Sequence, residues 1–199
     1  NSVQIGTGST LTMNDATVAN SGTYEVEAIL NGCISNREQI VTNITPKPAI
    51  PAISNSSPIC EGEIAVFSTP VVSGASYSWY NAANLLVSTG STYTIPSANL
   101  TDAGNYTLKL TVNGCESDLA TTNLAVKPLP MLPVIQSNSP VCEGEMLTLQ
   151  TTQQAGVLYS WVKAGINLAS GIDLTINNAQ ISDAGVYELT ADLNGCTQG

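Results

Sequence analysis

The chain has 199 residues, of which 43% are hydrophobic and only 10% charged, so it carries enough apolar material for packed cores while Ser, Thr, Asn and Gly stand where a helical protein would place charge. Fifteen acidic residues against five basic ones give a net charge of −10, which repels a phosphate backbone or an anionic membrane surface and suits a soluble secreted protein. No histidine is present, which excludes histidine acid–base chemistry and histidine-ligated metals from this chain. No apolar run reaches the ~18 residues of a membrane span, and Asn1-Ser2-Val3-Gln4 does not open like a secretory signal.

Taken in chain order, Thr10-Leu11-Thr12-Met13 alternates polar and apolar, as a half-buried strand does. The turn Asn20-Ser21-Gly22-Thr23-Tyr24 leads into a strand that places Tyr24, Val26, Ala28 and Leu30 on one face and is followed by Cys33. After a linker at Thr45-Pro46-Lys47-Pro48, Pro51 to Ser54 starts a new set of strands. Cys60-Glu61-Gly62-Glu63 then turns into a strand over Ile64–Thr69, and Tyr77-Ser78-Trp79-Tyr80 is a strand with Tyr77 and Trp79 on one face. Thr92–Ile95 repeats the alternation of Thr10–Met13. Asp102-Ala103-Gly104-Asn105-Tyr106 opens a strand bearing Tyr106, Leu108, Leu110 and Val112 on one face. Asn113-Gly114 is the positive-φ pair of a tight hairpin before Cys115, and Leu124 and Val126 belong to a last strand. A second linker, Val126-Lys127-Pro128-Leu129-Pro130, precedes Ser139-Pro140-Val141-Cys142-Glu143-Gly144-Glu145, Tyr159 and Trp161, Asp173–Ile176, Asp183-Ala184-Gly185-Val186-Tyr187 and Cys196. No stretch of useful length has helical period.

These elements repeat. Trp79 and Trp161, like Cys60 and Cys142, lie 82 residues apart, and Tyr24, Tyr106 and Tyr187 are spaced by 82 and 81, as are Cys33, Cys115 and Cys196. A unit of this length suits a small two-sheet sandwich. The chain therefore divides into residues 1–45, the later part of one copy; residues 46–127, a complete copy; and residues 128–199, a copy lacking its last strand. It is read as a window onto a longer array. Alternating prolines make the linkers short and extended, which predicts all-β domains set end to end.

The Asp-x-Gly-x-Tyr element resembles the corner of immunoglobulin domains in which the Tyr hydroxyl bonds back to nearby backbone. Asp102 and Asp183 hold the acidic position, Asn20 replaces it in the first copy, and Gly104, Gly185, Tyr24, Tyr106 and Tyr187 complete the element. Trp79 and Trp161 match the tryptophan packed between the sheets. Together, Cys-Glu-Gly, Tyr-x-Trp, Gly-x-Tyr and Asn-Gly-Cys resemble the Ig-like repeats of Bacteroidetes surface and secreted proteins, including large gliding-motility adhesins and other cargo of the type IX secretion system. The resemblance implies tandem immunoglobulin-like β-sandwiches, an extracellular, outer-membrane-associated location, and neighbouring repeats of the same chain as partners, with cell-surface or secretion-system proteins as further ones. It implies no cofactor and no catalytic activity.

The cysteines depart from the antibody pattern. Leu108 and Leu189 stand two residues after the corner Tyr, and Thr69 and Thr151 occupy the opposing strand, so the usual inter-sheet bridge is absent. In an immunoglobulin topology Cys60 and Cys115 sit at opposite poles, roughly 25 Å apart for strands of seven or eight residues, whereas a disulfide needs Cα atoms within about 7 Å. One reading is a bridge between repeats: Cys60 meets Cys196, while Cys33 and Cys115 pair upstream of this segment and Cys142 downstream. Pairing within a domain of modified topology, and free thiols, are the other two.

Other residues invite sharper functions. Asp102 and Asp183 are not a glycosidase pair, because they occupy equivalent corners of different copies. Glu61, Glu63, Glu143 and Glu145 lack the Asp-x-Asp run of a calcium loop. Tyr77, Trp79, Tyr159 and Trp161 read as core rather than a sugar platform, and Tyr80 as a surface residue. Lys109 and Lys163 have no counterparts in the other copies, which argues against a repeated isopeptide crosslink. The functional expectation is a non-catalytic stalk or spacer of a long bacterial adhesin serving gliding or attachment. The alternative is an accessory array on a secreted polysaccharide-degrading enzyme.

Overall fold

The computed structural model describes residues 3–199, so the first two residues of the expected 1–45 segment lie outside it. Among the described residues, all regular structure is β apart from three single-turn 3-10 helices at Val18–Asn20, Leu100–Asp102 and Ile181–Asp183. No described helix is long and apolar enough to cross a membrane.

Copy two is a two-sheet sandwich. In one sheet Ala65–Ser68 lies between Ser54–Asn55 and Thr92–Ile95. In the other, Ala75–Tyr80 lies between Leu86–Ser88 and the long Gly104–Val112 strand, which also pairs with Cys115–Glu116 and Ala120–Leu124. Alternation along these strands aims Ala65, Phe67, Tyr77, Trp79, Tyr106, Leu108, Leu110 and Leu124 into one core. Trp79 is completely buried, and its indole N–H donates to the Gly90 carbonyl at 2.9 Å. Phe67 packs tilted beside it, 6.0 Å from the Trp79 ring and 4.4 Å from that of Tyr106.

Copy three repeats the arrangement with Gln136–Ser137, Leu147–Gln150 and Asp173–Ile176 in one sheet. The other sheet is formed by Ile166–Ser170, Leu158–Lys163, Tyr187–Leu193 and Cys196–Gln198. Its fully buried tryptophan, Trp161, donates to Gly171 at 3.0 Å. Phe67 and Tyr93 of copy two are replaced by Leu149 and Leu174, aliphatic residues of the copy-three core, while Tyr106 is kept as Tyr187.

The described part of copy one has no buried core. Gly22–Val26 pairs with Glu38–Thr42, and Ile29–Leu30 with Cys33–Ile34. Tyr24 is only half-buried, and Val26 and Leu30, expected on the inner face, are 63% and 75% exposed. Thr10–Met13 is not a strand. Its counterparts Thr92–Ile95 and Asp173–Ile176 are held by Ala65–Ser68 and Leu147–Gln150, and copy one has no described strand to hold it. Three smaller corrections concern copies two and three. The first strand is Ser54–Asn55 rather than Pro51–Ser54, since proline offers no amide to pair. The Leu86–Ser88 and Ile166–Ser170 strands were not expected. Val126 does not continue Ala120–Leu124 but, with Lys127, pairs in parallel with Ile59–Cys60.

Replacing either buried tryptophan with alanine removes its core and opens a cavity, so Trp79→Ala and Trp161→Ala should each cost about 3–5 kcal/mol. Chemical denaturation followed by far-ultraviolet circular dichroism would measure this, with the fluorescence of the remaining tryptophan reporting the unaltered sandwich.

Candidate functional site

The corners come first, because they set the poles of each sandwich. Tyr106 donates its hydroxyl to the Asp102 carbonyl at 2.9 Å, Tyr187 to that of Asp183 at 2.7 Å, and Tyr24 to that of Asn20 at 2.7 Å. The side chains of Asp102, Asp183 and Asn20 each turn back to accept the amide three residues earlier, from Asn99, Gln180 and Thr17, at 2.8–2.9 Å. One oxygen of the side chain suffices, which is why asparagine serves in copy one. The two aspartates are thus spent on turns and face no common cleft. Gly104 has φ +140°, and an ideal Cβ there would lie 2.9 Å from that of Ala82. At Gly185, with φ +147°, the nearest atom is Cε of the flexible Lys163, at 3.2 Å.

Burial first, then the neighbouring Tyr93 hydroxyl and Asp102, push the Tyr106 phenol up to about 12. Tyr93 is also raised, chiefly by burial.

The Cys-Glu-Gly-Glu turn forms the pole next to this corner. Glu63 accepts the Cys60 amide at 2.7 Å, and its own amide donates to the Cys60 carbonyl. Gly62 and Glu63 are tied to Ala98 by a reciprocal pair of backbone bonds. Copy three reproduces this with Glu145 on the Cys142 amide at 3.0 Å and with Ala179 in the place of Ala98. The acids at Glu63 and Glu145 therefore fix cysteines in place. Among the described residues, no group of three acidic or cysteine side chains could hold a metal.

Cys60 is bonded to Cys196, 136 residues further on, with Cα atoms 5.7 Å apart. The bond joins the turn of copy two to the Asn194-Gly195-Cys196 hairpin of copy three, whose Asn and Gly have φ 55° and 87°. Cys196 is fully buried. Lys127, in the linker, donates to the Asn194 carbonyl at 2.9 Å, so a hydrogen bond supports the covalent one. At the preceding junction Lys47 pairs with Asp118, just beyond the corresponding hairpin. Sequence reasoning did not find this use of the linker lysines. The signal available was that two of the four lysines stand among prolines. Cys33, Cys115 and Cys142 are not bonded to one another: Cys33 and Cys142 are exposed and Cys115 half-buried. Lys109 pairs with Glu116 at 2.8 Å, while Lys163 donates to the Ser182 carbonyl at 2.9 Å and lies over the Tyr187 ring. Tyr77 and Tyr159 are buried with their tryptophans, and Tyr80 is half-buried.

Residues 48–128 match the family model described as "Ig-like domain CHU_C associated". Copy two is thus an Ig-like domain of that type, and its fold, with the corner and the buried tryptophan, is an immunoglobulin-like sandwich. A disulfide between such domains fits an extracellular protein. Comparison with curated proteins finds no match. Among solved structures, the chain is similar to one from a mouse coronavirus receptor-binding domain complexed with its murine receptor: 17% identity, TM-score 0.46, covering 74% of this chain and 94% of that one. It is also similar to murine CEACAM1b, at 17% identity and TM-score 0.43 over the same shares of each chain. A third likeness is to the human OSCAR ligand-binding domain, at 12% identity and TM-score 0.35, covering 78% and 96%.

Two outcomes test the corner. Gly104→Ala should destabilise copy two by ~1–3 kcal/mol through its backbone strain and its clash with Ala82. Gly185→Ala should cost copy three less, since Lys163 can move; thermal unfolding of the two variants ranks them. In alkali, the proton that folded Tyr106 retains is lost by an unfolded chain near pH 10, so stability falls as pH rises from there and this contribution is gone once Tyr106 itself ionises near 12. Absorbance of tyrosinate should show a late-titrating group that Tyr106→Phe removes.

Proposed function

We propose that this chain is a load-bearing spacer in the stalk of a long bacterial cell-surface adhesin. The observation that carries the reading is the Cys60–Cys196 bond between two sandwiches. Each sandwich has its own tryptophan core, so the bond is not needed to close either one. Its effect lies at the junction, where it joins the domains by a second covalent path beside the linker. Tension entering at Cys60 can leave at Cys196 without passing along residues 61–195, which hold most of both cores. Polar interfaces between domains are weak against bending; a cystine backed by Lys127 is not.

The acidic surface, the absence of histidine and the use of the corner acids in turns all favour a mechanical over a catalytic role. The partners on this reading are neighbouring repeats of the same chain and the cell-surface or secretion-system proteins that export and anchor it. Adhesive contact then belongs elsewhere in the molecule.

Pulling the chain by its ends tests the mechanics. With the disulfide intact, the 136-residue separation is bypassed; reduction or Cys196→Ser should lengthen full extension by roughly 450–490 Å at ~3.3–3.6 Å per residue. Equal extension in both states would show that the bond does not carry load. A glycan array probed with the chain should stay blank, and saturable binding there would replace the spacer reading with a recognition one.

A further inference from the structure

The linker that enters copy two does not lie flush against the sandwich. Between residues 45–52 on one side and the 69–72 loop with the end of the Gly104–Val112 strand on the other is a cavity of about 420 Å³, and every residue lining it falls between 45 and 113. Four prolines border it, Pro46, Pro48, Pro51 and Pro70. Thr69 and Leu110, 8% and 3% exposed, are among its most buried walls. Alternation turns Thr69 inward with Ala65 and Phe67. The hydroxyl that it brings there bonds to no described residue. No fully buried side-chain polar atom among the described residues lacks a partner, so this hydroxyl is reached from the cavity. Of the lining side chains only Lys47 is charged, and it is paired with Asp118.

Copy three carries the same threonine as Thr151 but treats the linker differently. Val72 and Gln154 are counterparts, since the amide of each donates to the hydroxyl of the core tyrosine five residues on, Tyr77 at 2.8 Å and Tyr159 at 3.1 Å. Met131 likewise holds the place of Ala49, 82 residues on. The Gln154 side chain accepts the Met131 amide and donates to the Met131 carbonyl, both at 2.9 Å, and so fastens linker to loop. Val72 has no polar group with which to do this, and in copy two the gap stays open.

We propose that the cavity binds a small neutral aromatic molecule of one or two rings, whose hydroxyl or N–H group bonds to Thr69 Oγ1, and that this ligand fastens the linker to copy two as Gln154 does in copy three. Proline rings offer C–H edges to a π face, the complement that proline-rich segments find in aromatic grooves. The volume lies in the lower part of the range of small-ligand pockets, about 300–1,000 Å³. An ionic ligand would lose its water here and find no free counter-charge.

Titration of p-cresol and of indole into the full chain, followed by amide NMR, tests this. Both should give saturable shifts at Ala49, Ile50, Thr69 and Val72, and none at Met131, Thr151 and Gln154. Cyclohexanol, which keeps the hydroxyl without the π face, should bind roughly tenfold more weakly than p-cresol, and benzoate should give no saturable shift. Thr69→Val should weaken p-cresol binding roughly threefold to tenfold. Val72→Gln, which brings the copy-three clamp to the Ala49 backbone, should abolish the shifts while the rest of the spectrum stays in place. No saturable shift with either probe, equal binding of cyclohexanol, or undiminished binding by a folded Val72→Gln chain overturns the proposal. So do equal shifts at Met131 and Gln154, since the probes would then report apolar linker surface in general. None of these readouts involves the Cys60–Cys196 bond, so a negative result leaves the spacer reading standing.

Discussion

Each sandwich depends on the burial of one indole between two sheets. Trp79 and Trp161 are 0% exposed, and that state requires a sheet on either side and an acceptor for the ring N–H. Gly90 and Gly171 supply the acceptor, in loops that the sandwich itself positions. In copy one the corner is also present, with Tyr24 bonded to Asn20.

The acidic residues that might suggest chemistry are used for geometry. Asp102 and Asp183 close the corner, and Glu63 and Glu145 hold the amides of Cys60 and Cys142. Such bonds to an ionised acceptor are stronger than neutral ones and need no partner charge. With only five basic residues against fifteen acidic ones, most carboxylates can have no ion-pair partner, and several accept backbone N–H groups instead. Of the four lysines, Lys47 and Lys109 pair with carboxylates, whereas Lys127 and Lys163 donate to backbone carbonyls, and Lys127 is placed across a junction.

At that junction the cystine changes what the linker must do. A proline-rich connector alone sets distance but resists bending poorly. With Cys60 held by its turn, Cys196 held in its hairpin, and the two bonded, the adjoining poles of copies two and three are tied through rigid parts of both sandwiches. The Cys142 turn has the same construction as the Cys60 turn, so the means of making this connection is built into the repeat rather than into one junction.

The sequence by itself determined the repeat, the strands with strict alternation and the corner. Thr92–Ile95 and Asp173–Ile176 are strands to the residue, because period-two burial and a tight spacing of apolar side chains leave one solution. It also yielded Cys60–Cys196 as one of three readings of the cysteines, beside pairing within a domain and free thiols, since strand length separates the poles of a single sandwich. Tertiary structure decided the rest. It denied a strand to Thr10–Met13, which has the right pattern but no neighbour to bond, and it added Leu86–Ser88 and Ile166–Ser170, edge strands with no strict alternation to read. It also assigned Glu63, Lys47 and Lys127 their partners. A pattern in one dimension records which face a residue shows to a core; it does not record which atom, tens of residues away, will stand within hydrogen-bonding distance.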